Sequence, residues 1–224
     1  MREIVLDTET TGLDPAAGHR IVEVACLELL NHIPTGREYQ TYINPERDVP
    51  ADALAVHGLT AEFLSDKPRF ADIADDLLTF IADAPLVIHN AEFDVRFLNA
   101  EFQRLARPPL TSTRIVDTLQ IARQKFPGAP ASLDALCRRF AIDNSARTKH
   151  GALLDTELLA DVYLELMGGR QAGLELMTAA RATAALSSVG GKTPRAARVH
   201  APTEAELAAH AALVAKLKDP IWSA

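Results

Sequence analysis

The chain has 224 residues, of which 48% are hydrophobic and 24% charged, and this length and balance suit one globular domain with an appendage. No uncharged apolar run approaches the roughly 18 residues that a membrane span needs, and the start, MREIVLDTE, does not resemble a signal peptide, so we expect a cytoplasmic protein with no membrane association. The two cysteines give no disulfide framework, and the formal net charge of −7 disfavours bulk electrostatic binding of a polyanion.

The first third of the chain is predicted to be mostly strand and loop. Residues 2–7 form a segment that is too short and apolar to show a period, which is typical of a buried strand. Residues 20–30 and 37–43 are two more strand candidates. The segment NHIPTG between these two is rich in turn formers and is predicted to be the turn that joins them. Residues 44–60 are punctuated by proline and are predicted to be a loop.

From residue 69 onward the pattern alternates between helix and strand. Residues 69–82 have helical spacing, with one apolar side made of Phe70, Ile73, Leu77, Phe80 and Ile81. The later predicted elements are a buried strand at 85–89, a helix at 92–105, a fifth strand at 114–116, and helices near 117–125, 132–140 and 151–167. Early strands followed by strand–helix alternation predict an α/β fold with a mixed sheet flanked by helices.

Acidic side chains recur at the ends of these predicted elements. Residues i and i+2 of a strand share a face, so Asp7 and Glu9 would present two carboxylates together where open α/β sheets bind ligands. Such a pair is costly unless a cation such as Mg²⁺ neutralises it, although an exposed acidic turn would give the same pattern. Asp94 and Asp155 fall in the first turns of predicted helices, and His150 lies just before the second of these helices. Taken singly, helix capping for Asp155 and a loop position for His150 are the simpler explanations.

Taken together, these residues match a known pattern. The order Asp-x-Glu, then Asp within HNAEFD, then His-x-x-x-x-Asp resembles the DEDDh family of 3′→5′ exonucleases, and all five positions are occupied. The flanking segments DTETTGLDP, AVHGLT, SLDALCRRF and TKHGALLDTELLADVYL agree with it. Within the family, residues 3–167 are most similar to the epsilon, or proofreading, subunits of bacterial DNA polymerase III. The resemblance implies a ribonuclease H-like fold with a five-stranded mixed sheet.

The resemblance also implies roles for the five residues. Hydrolysis of a phosphodiester needs a strong nucleophile and stabilisation of charge on the phosphate, and two divalent metal ions, Mg²⁺ or Mn²⁺, supply both. Asp7 would bridge the two ions, Glu9 and Asp155 would complete the shell of one, and Asp94 would support the site directly or through water. His150 would take the proton from the attacking water. Because His150 follows the polar segment SARTK, we hypothesise that it swings in once substrate is bound.

The expected substrate is the single-stranded or frayed 3′ end of DNA, from which nucleoside 5′-monophosphates are released. By resemblance, the terminal nucleotide would be contacted by Thr8, Thr10, Val56, His57, Gly58, Asn90 and Phe93. Phe93 could stack on a base, but packing in the core explains it equally well. A related nuclease that trims RNA or short oligonucleotides, and a polymerase subunit with a mainly structural role, are the alternatives.

The character of the chain changes near residue 168. Residues 1–167 hold 16 Lys/Arg against 26 acids, net −10, whereas residues 168–224 hold seven Lys/Arg against four acids, net +3. We therefore predict an exonuclease domain at 1–168, followed by a clamp-binding motif at 169–176, a flexible basic linker at 177–200 and a polymerase-binding helical segment at 201–224.

The tail carries the predicted partner contacts. QAGLEL resembles the short motif by which replication proteins bind the sliding clamp, with Gln171, Leu174 and Leu176 as its anchors. Thr203 and Glu206 form a capping box, which predicts a helix start. The apolar residues of the segment that follows include Leu207, Val214, Leu217 and Trp222. Trp222 either packs back on the body or anchors another protein; the resemblance favours the polymerase III alpha (catalytic) subunit, and it also implies a small accessory subunit as a partner.

Overall fold

A computed structural model describes residues 1–145, 147, 149–169 and 201–216. The chain divides into two compact units, Met1–Gly173 and Leu174–Ala224. The predicted contacts at Gln171, Leu174, Leu176, Leu217 and Trp222, and the predicted linker at 177–200, lie outside the described residues. Within the described part of the chain, no helix combines the length and the apolar character that crossing a membrane requires.

The first unit is built on one five-stranded sheet. Its strands are β1 (Arg2–Thr10), β2 (Ile21–Leu30), β3 (Ile33–Tyr42), β4 (Leu86–Ile88) and β5 (Ile115–Asp117). Their spatial order is β3-β2-β1-β4-β5, with β2 antiparallel to both of its neighbours and with β1, β4 and β5 mutually parallel. The predicted mixed α/β sheet of five strands is confirmed, and the carboxyl ends of its three parallel strands meet at one edge.

Seven α-helices and two short 3₁₀ helices, Pro15–Ala17 and Ser112–Arg114, are described in the first unit, and one α-helix is described in the second. The α-helices are α1 (Ala51–His57), α2 (Ala61–Leu64), α3 (Phe70–Ile81), α4 (Glu92–Arg104), α5 (Thr118–Lys125), α6 (Leu133–Phe140), α7 (Ala152–Leu166) and, in the second unit, α8 (Glu204–Val214). Two apolar cores cover the two faces of the sheet: α3 and α4 pack on one face, and α5, α6 and α7 pack on the other.

The alternation of side chains along β1 determines which helix each residue faces. Ile4 and Leu6 belong to the core under α3 and α4, whereas Val5 belongs to the core under α7. Because strand side chains alternate between faces, Asp7 and Glu9 continue the α7 side and Thr8 continues the α4 side. The strand runs to Thr10, three residues further than predicted, so both acids lie within the strand and not in a turn.

Two local predictions are wrong. The predicted loop at 44–60 contains α1, which begins after Pro50 in extended conformation and ends at Gly58 in the left-handed conformation, with the Gly58 N–H bonded to Leu54 O. Proline before the start of a helix and glycine after its end are helix signals. The prediction of a loop gave more weight to the number of prolines than to these two positions. The turn between β2 and β3 is also shorter than NHIPTG: it consists of Asn31 and His32, with φ of 52° and 67°.

In the second unit, α8 begins as predicted. Thr203 Oγ1 accepts from Glu206 N at 3.3 Å, and Glu206 Oε2 accepts from Thr203 N at 2.7 Å, so the capping box is confirmed. No residue of α8 is buried: Leu207 is 54% exposed and Val214 is half-buried. The apolar side chains of this helix are thus available to a partner.

Candidate active site

The carboxyl end of β1 forms the base of a cavity of about 710 Å³. Asp7 and Glu9 line it from the strand, Asp94 from α4, and Asp155 from α7, with His150 just before α7. These are the five residues that the sequence pattern singled out. The strand period and the packing of α4 and α7 on opposite faces of the sheet bring them together at its edge.

Asp94 is fixed by Thr8, the residue between the two acids of β1. Thr8 N and Oγ1 donate to Asp94 Oδ1 at 3.0 and 2.7 Å, and Asp94 is buried in the first turn of α4. This contact follows from the alternation along β1, which turns Thr8 toward α4. Thr8 therefore orients an acidic side chain as well as lining the cavity.

Asp155 is positioned through the start of α7. Gly151, the N-cap of this helix, has no side chain to satisfy the first N–H groups. Glu23 takes that role from β2: its Oε2 accepts from Ala152 N at 3.2 Å, and its Oε1 accepts from Gln40 Nε2 at 2.7 Å. Glu23 lies opposite Glu9 in the strand register, so a fifth carboxylate borders the site.

The clustered carboxylates hold protons more tightly than isolated ones. Desolvation, followed by the charges of Asp94, Glu9 and Asp155, raises the pKa of Asp7 well above its ordinary value. Desolvation and then the charge of Asp155 raise the pKa of Glu9 to about 8. Desolvation also raises the pKa of Asp94 to about 7, against the hydrogen bonds from Thr8 that lower it. Such shifts mark a site that lacks positive charge and would gain from binding a cation.

One cationic side chain does reach the cluster. Arg147 donates from Nε to Asp155 Oδ1 at 2.5 Å and from Nη2 to Asp155 Oδ2 at 2.7 Å, and its Nη1 donates to Asp134 Oδ1 at 2.8 Å. Its Nη2 also lies 2.8 Å from His150 Nδ1. The His150 side chain itself is 50% exposed toward the cavity mouth.

The donor set fits a hard divalent cation. One ligand atom from each of Glu9, His150 and Asp155 can be chosen so that all three lie within 4.8 Å of one another. Asp7 lines the same cavity but is not among the three residues whose ligand atoms meet this distance. Carboxylate oxygens are the ligands that Mg²⁺ and Mn²⁺ prefer, so the residues present are suitable for such an ion.

The predicted nucleotide contacts divide into two groups. The cavity is lined by Thr8, Thr10, Val56, His57, Asn90 and Phe93. Gly58 does not line it; it ends α1 and packs against Lys149, whose Nζ would lie 2.7 Å from a Cβ added at this position. The loop that carries Asn90 is held by Asp117 of β5, whose Oδ1 accepts from Asn90 N at 3.1 Å.

His57 has a free polar atom at the cavity. Its Nδ1 accepts from Leu59 N at 3.0 Å, so the ring proton is on Nε2, which is buried and has no hydrogen-bond partner among the described residues. Desolvation lowers the pKa of His57, which keeps it neutral at pH 7. A backbone contact with Thr10 opposes this shift, but His57 Nε2 makes no hydrogen bond of normal geometry with the described residues, so its N–H can donate to a ligand in the cavity.

The segments around His57 and His150 are joined. His150 N donates to Val56 O at 3.2 Å, which ties the residue before α7 to the last turn of α1. The side chain of Phe93 is half-buried: its ring lies 5.0 Å from that of Phe97, and it also lines the cavity. Both roles considered for Phe93 are compatible with this position.

Sequence reasoning missed two residues of the site. Glu23 is one of two acids in the strand RIVEVACLELL, where an unexplained buried charge was the available signal. Arg147 lies in SARTK, a segment treated only as polar. No local pattern predicts its contact with Asp155, because periodicity does not relate Arg147, which precedes α7, to a residue within that helix.

Comparison with known proteins adds sequence similarity to this geometry. Residues 4–163 match the exonuclease (RNase T) family. The DNA polymerase III subunit epsilon of Rickettsia felis is 52% identical over 215 residues, which cover 94% of each chain. The Escherichia coli K12 protein of the same name is 49% identical over 176 residues, 75% of this chain and 72% of that one.

Solved structures share the fold. Exonuclease X in complex with 5′ overhanging duplex DNA is 25% identical, with a TM-score of 0.56 over 73% of this chain and 90% of that chain. The nuclease domain of 3′hExo, a DEDDh family member bound to rAMP, is 17% identical, with a TM-score of 0.64 over 74% and 91% of the two chains. The predicted ribonuclease H-like exonuclease fold is confirmed.

Proposed function

Because this chain belongs to the exonuclease family, and within it to the epsilon subunits of DNA polymerase III, it is a 3′→5′ exonuclease, and we propose that it removes mispaired nucleotides from the single-stranded or frayed 3′ end of DNA. The observation that carries the proposal is the convergence of Asp7, Glu9, Asp94 and Asp155 on one cavity, where desolvation and then the neighbouring carboxylates raise the pKa values of Asp7 and Glu9, and desolvation raises that of Asp94. The products would be nucleoside 5′-monophosphates.

We propose that these carboxylates hold divalent cations. Members of this family depend on such ions, and the finer proposal is two ions, Mg²⁺ or Mn²⁺, bound by Asp7, Glu9 and Asp155, with Asp94 in support. The mutual proximity of Glu9, His150 and Asp155 ligand atoms supports it. When bound, such ions make water more acidic and stabilise negative charge on a phosphate.

His150 is the proposed proton acceptor. Half of its side chain is exposed at the cavity mouth, and its Nδ1 lies 3.4 Å from Asp155 Oδ2. A histidine at this place can take a proton from the attacking water near neutral pH, while the carboxylates stay committed to the cations. Asp94, held by two hydrogen bonds from Thr8, keeps the edge of the site rigid.

The terminal nucleotide is proposed to lie between α1 and α4. Val56, His57 and Thr10 would contact its sugar, with the free His57 Nε2–H as the donor to a sugar or phosphate oxygen. Phe93 would stack on the base, and Asn90 would fix the loop beside it. Gly58 would act indirectly, by allowing Lys149 to pack against α1.

The partners are proposed on the same basis. The relatives are named as subunits of DNA polymerase III, so we propose that this chain assembles with the polymerase alpha subunit, in the cytoplasm, and that the sliding clamp and a small accessory subunit also bind. The exposed apolar residues of α8 support a role for 201–224 in this assembly. Delivery of DNA by the polymerase would offset the net charge of −10 on residues 1–167.

The test is release of 3′-terminal mononucleotides from mismatched primer DNA with Mg²⁺ or Mn²⁺. Asp7→Ala should abolish release and leave co-purification with the polymerase intact, whereas deletion of 201–224 should keep cleavage of free single strands and lose co-purification. Asp83→Ala removes an exposed acid beyond the end of α3 and should behave as wild type. Cleavage by Asp7→Ala at the wild-type rate would overturn the catalytic proposal.

A further inference from the structure

Arg147 takes up both oxygens of a proposed metal ligand. Its guanidinium forms the paired contact of 2.5 and 2.7 Å with Asp155 described above, and its side chain is only 8% exposed. Paired, charge-assisted hydrogen bonds of this kind are among the strongest in proteins. Each oxygen keeps a second lone pair, but a divalent cation bound there would lie against the positive guanidinium, so the cation and Arg147 compete for Asp155.

The same side chain also engages His150. A guanidinium has five N–H donors and no acceptor, so the 2.8 Å contact between Arg147 Nη2 and His150 Nδ1 requires the lone pair of Nδ1. The ring proton must then be on Nε2. While this contact lasts, His150 can take a proton at neither nitrogen: Nδ1 is occupied and Nε2 already carries hydrogen.

Arg147 has a second anchor outside the site. Its Nη1 donates to Asp134 of α6 at 2.8 Å, and Asp134 also accepts from Asn144 at 3.0 Å. Asp134 does not line the cavity. The guanidinium can thus give up Asp155 and His150 and remain paired with a carboxylate.

We propose that Arg147 is a positioning residue that holds the metal-free site at rest, as an internal substitute for the cation, and that it releases Asp155 and His150 together when a divalent ion binds. The inference rests on the proposed metal site. Under this proposal, metal binding at Asp155 also frees His150 to accept a proton, because the one side chain of Arg147 restrains both residues. A site without metal would then be unable to activate water.

The opposite view is that Arg147 orients Asp155 to receive the metal. The two views differ in sign. If Arg147 competes with the cation, its removal strengthens metal binding; if Arg147 orients the ligand, its removal weakens metal binding. Thermodynamic linkage is reciprocal: if metal binding weakens the Arg147–Asp155 contact, then that contact weakens metal binding by the same free energy.

The experiment measures Mn²⁺ binding to the full chain by calorimetry, without DNA, together with thermal unfolding in EDTA. Arg147→Gln should bind Mn²⁺ about fivefold or more tightly than wild type, the lower end of what coupled sites show. It should unfold at a lower temperature in EDTA, because the carboxylates lose their counter-ion, and regain more stability than wild type on adding Mn²⁺. Equal or weaker Mn²⁺ binding by Arg147→Gln would overturn the proposal.

Two further variants make the result specific. Arg138→Gln removes the same charge from an exposed position on α6 and should match wild type in both measurements. Arg147→Lys keeps the charge but cannot hold both Asp155 oxygens, so its Mn²⁺ affinity should fall between wild type and Arg147→Gln. Weaker Mn²⁺ binding by Arg147→Lys than by wild type would also overturn the proposal and covers the case in which Arg147→Gln fails to fold.

These measurements separate the inference from the proposed function. Because Mn²⁺ binding is read without substrate, an overturned role for Arg147 leaves the exonuclease assignment standing. Loss of Mn²⁺ binding in wild type itself would instead contradict the proposed metal site.

Discussion

Strand β1 carries buried acids at both ends, and the two ends treat them differently. At the amino end, Glu3 is 1% exposed and accepts hydrogen bonds from Tyr163 Oη at 2.7 Å and His32 N at 3.3 Å. At the carboxyl end, Asp7 and Glu9 receive no hydrogen bond from any described residue, and other carboxylates surround them.

The difference separates an acid that stabilises the fold, Glu3, from acids that are proposed to bind a catalytic cation, Asp7 and Glu9. Glu3 is hydrogen-bonded by its own protein, as a buried polar group normally must be. Burial and neighbouring carboxylates instead raise the pKa of Glu9 to about 8. Its ionised form therefore destabilises the folded state unless a cation is bound. Burial is common to both ends of β1; the lack of side-chain donors is what sets Asp7 and Glu9 apart from Glu3 and supports their proposed role as metal ligands.

The comparison predicts its largest effect at Glu9. Glu9→Gln should lower 3′→5′ cleavage by about a thousandfold, which corresponds to roughly 4 kcal/mol of transition-state stabilisation, because it removes a proposed metal ligand. The melting temperature in EDTA should stay the same or rise, since the amide removes a group that ionises readily in the unfolded chain but is held protonated in the folded protein. Single-turnover cleavage and thermal melts measure the two. A loss of activity below tenfold would break the comparison.

At the other end of β1, Glu3→Gln should have the reverse signature. The amide group faces donors from Tyr163 and His32, so one buried hydrogen bond is lost and the free energy of unfolding should drop by about 1–3 kcal/mol. Cleavage by the folded variant should remain within about twofold of wild type. Denaturant titration gives the stability. Glu38→Gln, which neutralises an exposed acid of β3, is the control and should change neither quantity.

The smallest effect is on the pH dependence of stability without metal. Between about pH 4.5 and 8, the folded protein keeps a proton on Glu9 that the unfolded chain has lost, so the free energy of unfolding falls as pH rises through this window. The raised pKa values of Asp7 and Asp94 act in the same direction. We expect a decline of about 1 kcal/mol or more, roughly 2–4 °C in melting temperature.

Thermal melts in EDTA from pH 5.5 to 8.5 measure this decline. In Glu9→Gln the fall should be shallower, because the group that titrates is gone. Saturating Mn²⁺ should remove it in wild type, since the cation keeps the carboxylates ionised in the folded state. A slope identical in wild type and Glu9→Gln would contradict the pKa assigned to Glu9.

The sequence predicted those features that depend on short-range periodicity. The alternation of side chains along β1 predicts that Asp7 and Glu9 share one face of the strand. The spacing of apolar residues predicts the buried side of α3. Both concern residues close in the chain. The predicted roles of the five site residues remain proposals.

The features that were missed depend on long-range pairing or on competing local signals. Glu23 caps α7 across 129 residues, and the contact of Arg147 with Asp155 needs the folded segment before α7. The helix α1 was missed because Pro45 and Pro50 outweighed the capping pattern that ends at Gly58. Periodicity contains no information about such pairings.

The bond from His150 N to Val56 O has a consequence for fidelity. It makes the proposed floor of the sugar pocket and the proposed proton acceptor parts of one mechanical piece, reinforced where Lys149 fills the space that a side chain at Gly58 would occupy. With these proposed roles, a primer end that seats poorly against α1 would displace the segment that carries His150. Binding of the primer terminus against α1 and placement of His150 for hydrolysis would then be coupled through one hydrogen bond.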